Sequence, residues 1–329
     1  MKSSDPGVSL AWTRNLPYGG PEFGQGCCTL LMTFTDPTLQ KSIRENIYHA
    51  AHWAIGDWDA YKWHRTNGQP DTHVSHSSQA LCISVWGTFA SAEGKAVRRV
   101  ITGLLNDGEL QRAIGRYDTQ IPLTLESDSR ELLNEYGGTQ SHLDGVLDLD
   151  ELPVVIESKL TEPLGCCSQV KQRHCSGIYG PGSDLKLKRP DPCRLLYKDQ
   201  NRTSRLYWDI MGQLSRPDSY PFGQACPFAG SGFQVMRNIA AAFRMATGKN
   251  TGGNNGREWR VIFAYPSDPR TSQAIRAVRE KLNPEQQKRV LSLDYLQLAE
   301  LLGKSSDPIA KGLSQHMSAR LGINVQNSS

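Results

Sequence analysis

The sequence predicts an α/β protein in which helices flank one central mixed β-sheet. Two patterns carry this prediction: apolar strand-like segments alternate along the chain with segments of helical period, and HLDGVLDL alternates with a period of two. A chain of 329 residues is long enough to bury a substantial core. We expect a mainly helical N-terminal extension over residues 1–68 and a main domain over residues 69–329, with an insertion at about 161–230.

The first predicted element is a helix that begins near Asp36-Pro37, because proline is tolerated in the first turn of a helix. Ile43 and Ile47 repeat at helical spacing within TLQKSIRENIYHAAHWAIGDW, so the helix is expected to run through this segment. The histidines and aromatic residues between positions 49 and 64 could stack bases or bind a metal, but packing against helices explains them more simply.

Further helices and strands are predicted along the rest of the chain. SAEGKAVRRVITGLL predicts a helix with an inward aliphatic stripe and with Arg98 and Arg99 on its outer side. GFQVMRNIAAAFRMA predicts a helix whose polar side carries Gln234, a candidate to contact a metal-bound water or a phosphate, with polar capping as the alternative. REWRVIFAYP predicts a strand, SQAIRAVREKL a helix, and VLSLDYLQLAELL a strand followed by a helix.

A hairpin is predicted at residues 142–160. In HLDGVLDL, leucines occupy alternate positions on one face, and Asp144 lies on the other face. DLDELP predicts a turn, and VVIESKL, which is β-branched at its start, predicts a second strand. Because successive side chains of a strand point to opposite faces, Glu157 and Lys159 are expected to emerge on the same side.

Such a hairpin can bring Asp144 near Glu157, and two carboxylates that close repel unless a proton or a cation lies between them. Mg²⁺ or Mn²⁺ suits these hard oxygen ligands and can activate a bound water, while Lys159 can orient that water or stabilise the transition state. The alternative is a surface hairpin with charges on its exposed face. Charges within an apolar strand are costly unless they are paired or hold a metal, so the pattern favours phosphodiester hydrolysis.

Asp144, followed on the next strand by Glu157-Ser158-Lys159, resembles the motif of the PD-(D/E)XK nuclease superfamily, the restriction-endonuclease-like proteins. SSQALCISVWG, GGTQSHLDGVLDL, RLYWDIM and CPFAGSGFQVMRNIAAAF are similar to a group of little-characterised bacterial restriction-endonuclease-related proteins. The resemblance implies a restriction-endonuclease-like core, with Asp144 and Glu157 as metal ligands and Lys159 as the catalytic lysine. One departure is that Leu143 stands where the motif has its leading proline.

The resemblance runs from about residue 70 to residue 300. Many nucleases of the resembled superfamily also carry an acidic residue on a helix before the first catalytic strand. Glu93, Glu126 and Glu135 all compete for that role, and the sequence does not separate them.

Five of the eight cysteines fall within residues 166–226, inside or beside the predicted insertion. Disulfides are disfavoured in a cytosolic chain, which leaves free thiols or a metal centre. Four thiolates could hold Zn²⁺ or an iron-sulfur cluster, which some nucleases of the resembled superfamily carry, although no CxxC pair is present. The candidate ligands are Cys166, Cys167, Cys175, Cys193 and Cys226.

Basic charge is concentrated just after the predicted Glu-Ser-Lys strand. Residues 169–216 contain ten Lys or Arg against four Asp or Glu, a local excess larger than the net charge of +4 of the whole chain. Segments of this kind bind phosphate backbones, so DNA is the expected partner, with an ordinary solvated loop as the alternative.

These patterns together predict a Mg²⁺-dependent nuclease that hydrolyses DNA in restriction, defence or DNA processing. The alternative is a non-catalytic nucleic-acid-binding protein with a cysteine-bound structural metal. No GxxxxGK[ST], GxSxG or HExxH motif occurs, which leaves P-loop nucleotide hydrolysis and those hydrolase classes without support. No run of eighteen apolar residues and no secretory signal is visible, so we expect a cytoplasmic protein without a membrane partner. The sequence does not determine the oligomeric state, and a homodimer is one of the alternatives.

Overall fold

The computed structural model describes residues 36–66, 69–135, 142–173, 175–178, 205–217, 219–220, 223–248 and 257–323. The strands are β1 Arg65–Thr66, β2 Gln69–Pro70, β3 Leu123–Asp128, β4 His142–Leu149, β5 Leu152–Ser158, β6 Arg260–Tyr265 and β7 Val290–Asp294. The α-helices are α1 Pro37–Asn46, α2 Ser78–Cys82, α3 Thr88–Ala90, α4 Lys95–Leu105, α5 Gly108–Ile114, α6 Arg130–Leu133, α7 Ser168–Lys171, α8 Tyr207–Leu214, α9 Gly232–Thr247, α10 Pro269–Arg279, α11 Pro284–Gln287, α12 Tyr295–Gly303 and α13 Pro308–Leu321. A 3-10 helix covers His49–Ile55, and a π-helical turn at Ile83–Gly87 joins α2 to α3.

Five strands form one mixed sheet in the order β3-β4-β5-β6-β7. β3, β4 and β5 pair antiparallel, whereas β5, β6 and β7 pair in parallel. Parallel neighbours need a crossover connection, and the crossover from β5 to β6 contains α9, the longest helix among the described residues. The predicted α/β fold with a central mixed sheet flanked by helices is confirmed.

The predicted hairpin is formed by β4 and β5. Leu149 pairs with Leu152, so the turn contains only Asp150 and Glu151. Asp150 has a φ of 48°, which is typical of the two-residue turns that match the twist of paired strands. β5 is buried along its whole length because it is a central strand with a partner on either side and helices on both faces.

Helices cover both faces of the sheet. On one face, α4, α12 and α13 pack against side chains that include Val154 and Ile156. On the other face, α8, α9 and α10 pack against side chains that include Val146, Val155 and Phe263. Neighbouring residues of β5 thus enter two different cores, where each fully buried aliphatic side chain stabilises the fold by about 1.5–3 kcal/mol.

The helix predicted to run through residues 37–58 is shorter than expected. It begins after the capping residue Asp36, as predicted, but it ends at Asn46. Tyr48 N donates a hydrogen bond to Ser84 Oγ at 3.0 Å, so a contact with a distant segment replaces the next helical hydrogen bond. A separate 3-10 helix then continues the chain.

Arg98 requires a second correction, because the sequence places it on the outer side of α4. Arg98 is only 5% exposed, and its guanidinium donates hydrogen bonds to main-chain carbonyl oxygens that include those of Phe89 and Tyr117. Buried arginine is thereby satisfied without a carboxylate. β3, α5, α8 and α13 are elements that the sequence patterns do not predict, and the domain boundary at residue 68 stays a prediction. Within the described ranges, no helix is both long and apolar enough to cross a bilayer.

Candidate active site

The centre of the candidate site is a lysine that lies beside two carboxylates. Lys159 Nζ is 2.6 Å from Glu157 Oε1 and 3.9 Å from Asp144 Oδ2. The side chain of Glu157 is only 1% exposed, and the side chains of Asp144 and Lys159 are each 14% exposed. The structure thus brings together the three residues that the sequence predicts for the site.

The end of the β4–β5 hairpin positions the two carboxylates. The strands pair as far as Gly145 and Ile156, and Asp144 and Glu157 are the next residues on each strand. Ser158 N donates to Asp144 Oδ2 at 2.8 Å, so a side chain continues the link between the strands where main-chain pairing stops. Both carboxylates are therefore held at one end of the sheet.

Lys159 is fixed by the main chain on both sides of it. Lys159 N donates to Ala264 O of β6 at 2.9 Å, which extends the parallel pairing by one residue. Leu160 N donates to Ser78 Oγ at 2.8 Å, at the start of α2. The ammonium group is consequently held close to the end of β5.

Two side-chain amides of α9 donate hydrogen bonds to the Glu157 carboxylate. Gln234 Nε2 donates to Glu157 Oε1 and Asn238 Nδ2 donates to Glu157 Oε2, each at 2.5 Å. The four-residue spacing places both amides on one face of the helix. Gln234 Oε1 also accepts a hydrogen bond from Gly165 N. The role predicted for Gln234 at a metal-bound water or phosphate stays a prediction.

Burial and charge perturb the ionisation of this cluster. Burial, reinforced by the Glu157 carboxylate, raises the pKa of Asp144 to about 8, although Lys159 and the N–H of Ser158 oppose the shift. Burial lowers the pKa of Lys159, but the carboxylates of Glu157 and Asp144 outweigh burial and raise it above the ordinary value for lysine. The two carboxylates therefore favour the charged form of Lys159, whereas burial and Glu157 favour the protonated form of Asp144.

A third carboxylate, Glu126, borders the site on the side of β3. The β3–β4 register places Glu126 opposite Asp144, and the residue is 7% exposed. Gln79 Nε2 of α2 donates to Glu126 Oε1 at 2.7 Å. His64 Nε2 lies 3.2 Å from the same oxygen. The electrostatic influence of Glu126 also contributes to the raised pKa of Asp144.

The three glutamates that compete in the sequence have different surroundings. Glu126 lies beside Asp144, on a strand rather than on a helix. Glu135 is buried and accepts hydrogen bonds from Ser129 Oγ and Tyr207 OH. Glu93 is exposed in the turn before α4. The assignment of the acidic role itself stays a prediction, for which Glu126 is now the best placed candidate.

The donor set of the site fits a hard divalent cation. Asp144 and Glu157 offer carboxylate oxygens, and burial together with the neighbouring Glu157 carboxylate raises the pKa of Asp144, so an added cation would favour its ionised form. Within the described ranges, no group of three or more His, Cys, Asp or Glu side chains is placed to share a metal ion. A two-carboxylate site is nevertheless typical of Mg²⁺, which fills its other positions with water and substrate phosphate.

The predicted cysteine centre is described only in part. Cys166 is exposed, Cys167 and Cys175 are buried, and Cys226 is partly exposed. A main-chain hydrogen bond of 2.7 Å joins the segments that carry Cys175 and Cys226. Cys193 lies outside the described residues, as do residues 179–204 of the predicted basic segment. A thiolate-bound metal stays a prediction.

Comparison with known protein families shows to which family the chain belongs. A family model described as Restriction Endonuclease associating with ARP matches residues 32–321. The chain belongs to this family. Membership confirms the resemblance to restriction-endonuclease-related proteins, identifies the α/β core as restriction-endonuclease-like, and indicates a nuclease role. No curated protein and no solved structure matches the chain.

In this member of the restriction-endonuclease-related family, several groups around the site escape sequence reasoning. Gln79 and Asn238 each donate a hydrogen bond to a carboxylate of the site, and His64 is half-exposed beside Glu126 rather than packed in a core. The sequence names Glu126 only as one of three competing glutamates. LTLESD does alternate apolar and polar residues, which is a strand signal, but it is short. The partners of Gln79 and His64 are distant in sequence, so no local pattern identifies them.

Proposed function

We propose that this protein is a Mg²⁺- or Mn²⁺-dependent deoxyribonuclease that hydrolyses phosphodiester bonds. The observation that carries the proposal is the position of Lys159 Nζ beside both Glu157 and Asp144 at the buried end of a hairpin. A simple structural ion pair needs one carboxylate. If both carboxylates are ionised, one ammonium group leaves the cluster with a net negative charge, which favours a metal cation and, through it, a phosphate. Membership in a restriction-endonuclease-related family supports the same reaction class.

In the proposed reaction each side chain has a separate task. Asp144 and Glu157 would hold the metal, which supplies an activated water and neutralises charge on the phosphoryl oxygens. Lys159 orients the attacking water and stabilises the negative charge that develops on the phosphoryl group. Gln234 and Asn238 keep the Glu157 carboxylate in one orientation, because each amide bonds a different carboxylate oxygen. Preorganisation of this kind reduces the reorganisation that the reaction requires.

The charge pattern of the chain supports a nucleic-acid substrate, and DNA rather than RNA is proposed because the family is related to restriction endonucleases. The excess of Lys and Arg over residues 169–216 follows directly on the strand that carries Glu157 and Lys159. Basic segments bind the phosphate backbone without regard to sequence and release counterions as they do so. We extend the proposal to a cytoplasmic protein that acts on DNA, with a homodimer among its possible assemblies.

Incubation with linear, circular and single-stranded DNA tests the proposal. We expect cleavage with Mg²⁺ or Mn²⁺, none in chelator, and a loss of about a hundredfold or more in rate for Glu157→Gln. Glu162→Gln is the matched control, because Glu162 Oε1 lies 3.9 Å from the same Lys159 nitrogen but its side chain is 44% exposed. Intact DNA in the presence of both metals, or full activity in Glu157→Gln, would contradict the proposal.

The same experiment separates the alternative function. A non-catalytic nucleic-acid-binding protein should bind DNA equally well with Mg²⁺ and with chelator, and it should leave every DNA form intact. Binding is followed by the mobility of labelled DNA at several salt concentrations, since the electrostatic part of the affinity falls as salt rises. Metal-independent binding without cleavage would therefore favour the binding protein over the nuclease.

A further inference from the structure

We propose that His64 is a further catalytic residue of this site, the group that donates a proton to the sugar oxygen that departs when the phosphodiester bond breaks. The inference rests on the proposed nuclease function. Lys159 is engaged by carboxylates on the β5 side of the site. His64 is a proton-carrying group next to Glu126, which the β3–β4 register places opposite Asp144, and its side chain is 48% exposed, so a substrate can reach it.

The orientation of His64 is fixed by a short chain of contacts. His64 Nε2 lies 3.2 Å from Glu126 Oε1, so Nε2 is the ring nitrogen that faces the carboxylate, and the proposal assigns the proton transfer to Nδ1. Gln79 Nε2 donates to the same Glu126 oxygen at 2.7 Å. Gln79 Oε1 in turn accepts from the main-chain N of His64 at 2.9 Å, so one buried amide holds both the carboxylate and the histidine backbone. An imidazole oriented by a carboxylate is the arrangement that general acid and base catalysis requires.

The backbone at Glu126 carries a cost that packing alone does not explain. Glu126 has a φ of 51°, a left-handed conformation inside β3, although a glutamate gains nothing from that region. A strained residue of this kind persists where the surrounding structure demands a particular direction of the side chain, and such residues cluster at active sites. Here the conformation directs the carboxylate to Gln79 and His64, at the strand position opposite Asp144.

The charges around His64 favour its protonated form. Burial lowers the pKa of His64, but the hydrogen bond and charge of Glu126, together with the charges of Asp144 and Asp71, outweigh burial and raise it. Tyr61, which belongs to the same segment, is neutral because burial and Glu126 raise its pKa well above the ordinary value. Carboxylates thus act on the imidazole from β3, from β4 and from the loop before α2.

The proposed step balances without any additional reactant. The oxygen of the attacking water forms a bond to phosphorus, and its proton passes to solvent. The bond between phosphorus and the departing sugar oxygen breaks, and that oxygen keeps the electron pair and takes the proton from Nδ1 of His64. The products are a phosphomonoester and a free hydroxyl, and His64 regains its proton from solvent before the next cycle.

A bridging-sulfur substrate tests this role, because a departing thiolate needs no proton. Analysis of the DNA ends made by the wild-type protein first establishes which sugar oxygen departs, and a single sulfur then replaces that oxygen. We expect His64→Ala and His64→Gln to cut ordinary DNA about 10²–10⁴-fold more slowly than the wild type. Both variants should cut the sulfur substrate at close to the wild-type rate. His76→Ala, which alters an exposed histidine of the following loop, should cut both substrates normally.

A second measurement examines the histidine without any substrate. In an NMR titration of the metal-free protein, the midpoint of His64 should lie above the ordinary range for histidine, and Glu126→Gln should lower it. Equal slowing of both substrates in the His64 variants, or a His64 midpoint that ignores Glu126→Gln, would overturn the inference while the nuclease function stands. Failure of the wild-type protein to cut either substrate would instead remove the nuclease function and the inference with it.

Discussion

Replacement of Lys159 by methionine tests the electrostatic balance of the site. The substitution keeps an unbranched side chain but removes the ammonium group that lies 2.6 Å from Glu157 and 3.9 Å from Asp144. Removal of one partner from a buried ion pair leaves an uncompensated charge, which typically costs about 3–5 kcal/mol. We expect the metal-free Lys159→Met variant to lose about this much free energy of unfolding. That is a large part of the total, which is about 5–15 kcal/mol for a typical domain.

The loss should depend on pH in a defined direction. The Gln234 and Asn238 amides continue to bond Glu157 in the variant, so its carboxylate is partly compensated. Asp144, whose pKa is already raised to about 8 by burial and Glu157, takes a proton more readily once the ammonium is gone. The destabilisation of Lys159→Met should therefore be smaller at pH 6, where a proton replaces the missing charge, and larger at pH 9.

Urea unfolding followed by circular dichroism at both pH values, in chelator, measures this effect. Lys304→Met is the matched control, because Lys304 Nζ also lies 2.6 Å from a carboxylate oxygen of Glu300, but these side chains are 66% and 65% exposed. Exposed pairs contribute little, so the control should keep the wild-type midpoint. A Lys159→Met protein as stable as the control at pH 9, or a loss that is the same at both pH values, would refute the reasoning.

The remaining predictions concern other charges and the cysteines. The metal-free wild-type protein should lose stability as pH rises from about 4 to about 8, because the raised pKa makes the folded state bind the Asp144 proton more tightly than the unfolded state does. Asp144 contributes at most about 1.4 kcal/mol of this loss per pH unit. A pH dependence that is unchanged in Asp144→Asn would contradict the prediction. Asn238→Ala should cost about 1.5–3 kcal/mol in urea unfolding, because a buried carboxylate loses a donor, and full stability would show that the bond is unimportant. Arg260→Met should cost about 3–5 kcal/mol, because a guanidinium that is 6% exposed bridges three carboxylates, yet cleavage per folded molecule should not change. Elemental analysis of anaerobically purified protein should find zinc or iron, and Cys193→Ser should melt at a lower temperature than the wild type. A protein that contains neither zinc nor iron would rule out a thiolate-bound metal centre.

The part of the site that the sequence predicts is the part encoded locally. Asp144, Glu157 and Lys159 lie within 16 consecutive positions on a hairpin. The polar turn and the alternation of apolar and polar residues in its strands can both be recognised in the sequence. A two-residue turn fixes the register, and the register decides which side chains can meet. For this reason the meeting of these three residues could be derived before the structure was known.

The rest of the site depends on contacts between distant segments. Arg98 and Tyr48 illustrate the difficulty in the fold: one is buried by main-chain carbonyls and the other ends a helix through a serine far along the chain. Glu126 illustrates it in the site, since its φ of 51° departs from extended strand geometry and its carboxylate accepts a hydrogen bond from Gln79, which is 47 positions away. Periodicity reports the environment of an element, but it carries no information about which remote group completes a hydrogen bond.

The separation of the site along the chain has a consequence for biosynthesis. Gln79 and Glu126 are 47 positions apart, and Glu157 and Asn238 are 81 positions apart, yet each pair is joined by one hydrogen bond. A ribosome releases the chain from its N-terminus at about 5–20 residues per second, so Glu157 and Lys159 emerge several seconds before the amides of α9. An incomplete nascent chain therefore carries the carboxylates and the lysine without the helix that orders them. The proposed nuclease site would therefore be complete only after α9 has been synthesised.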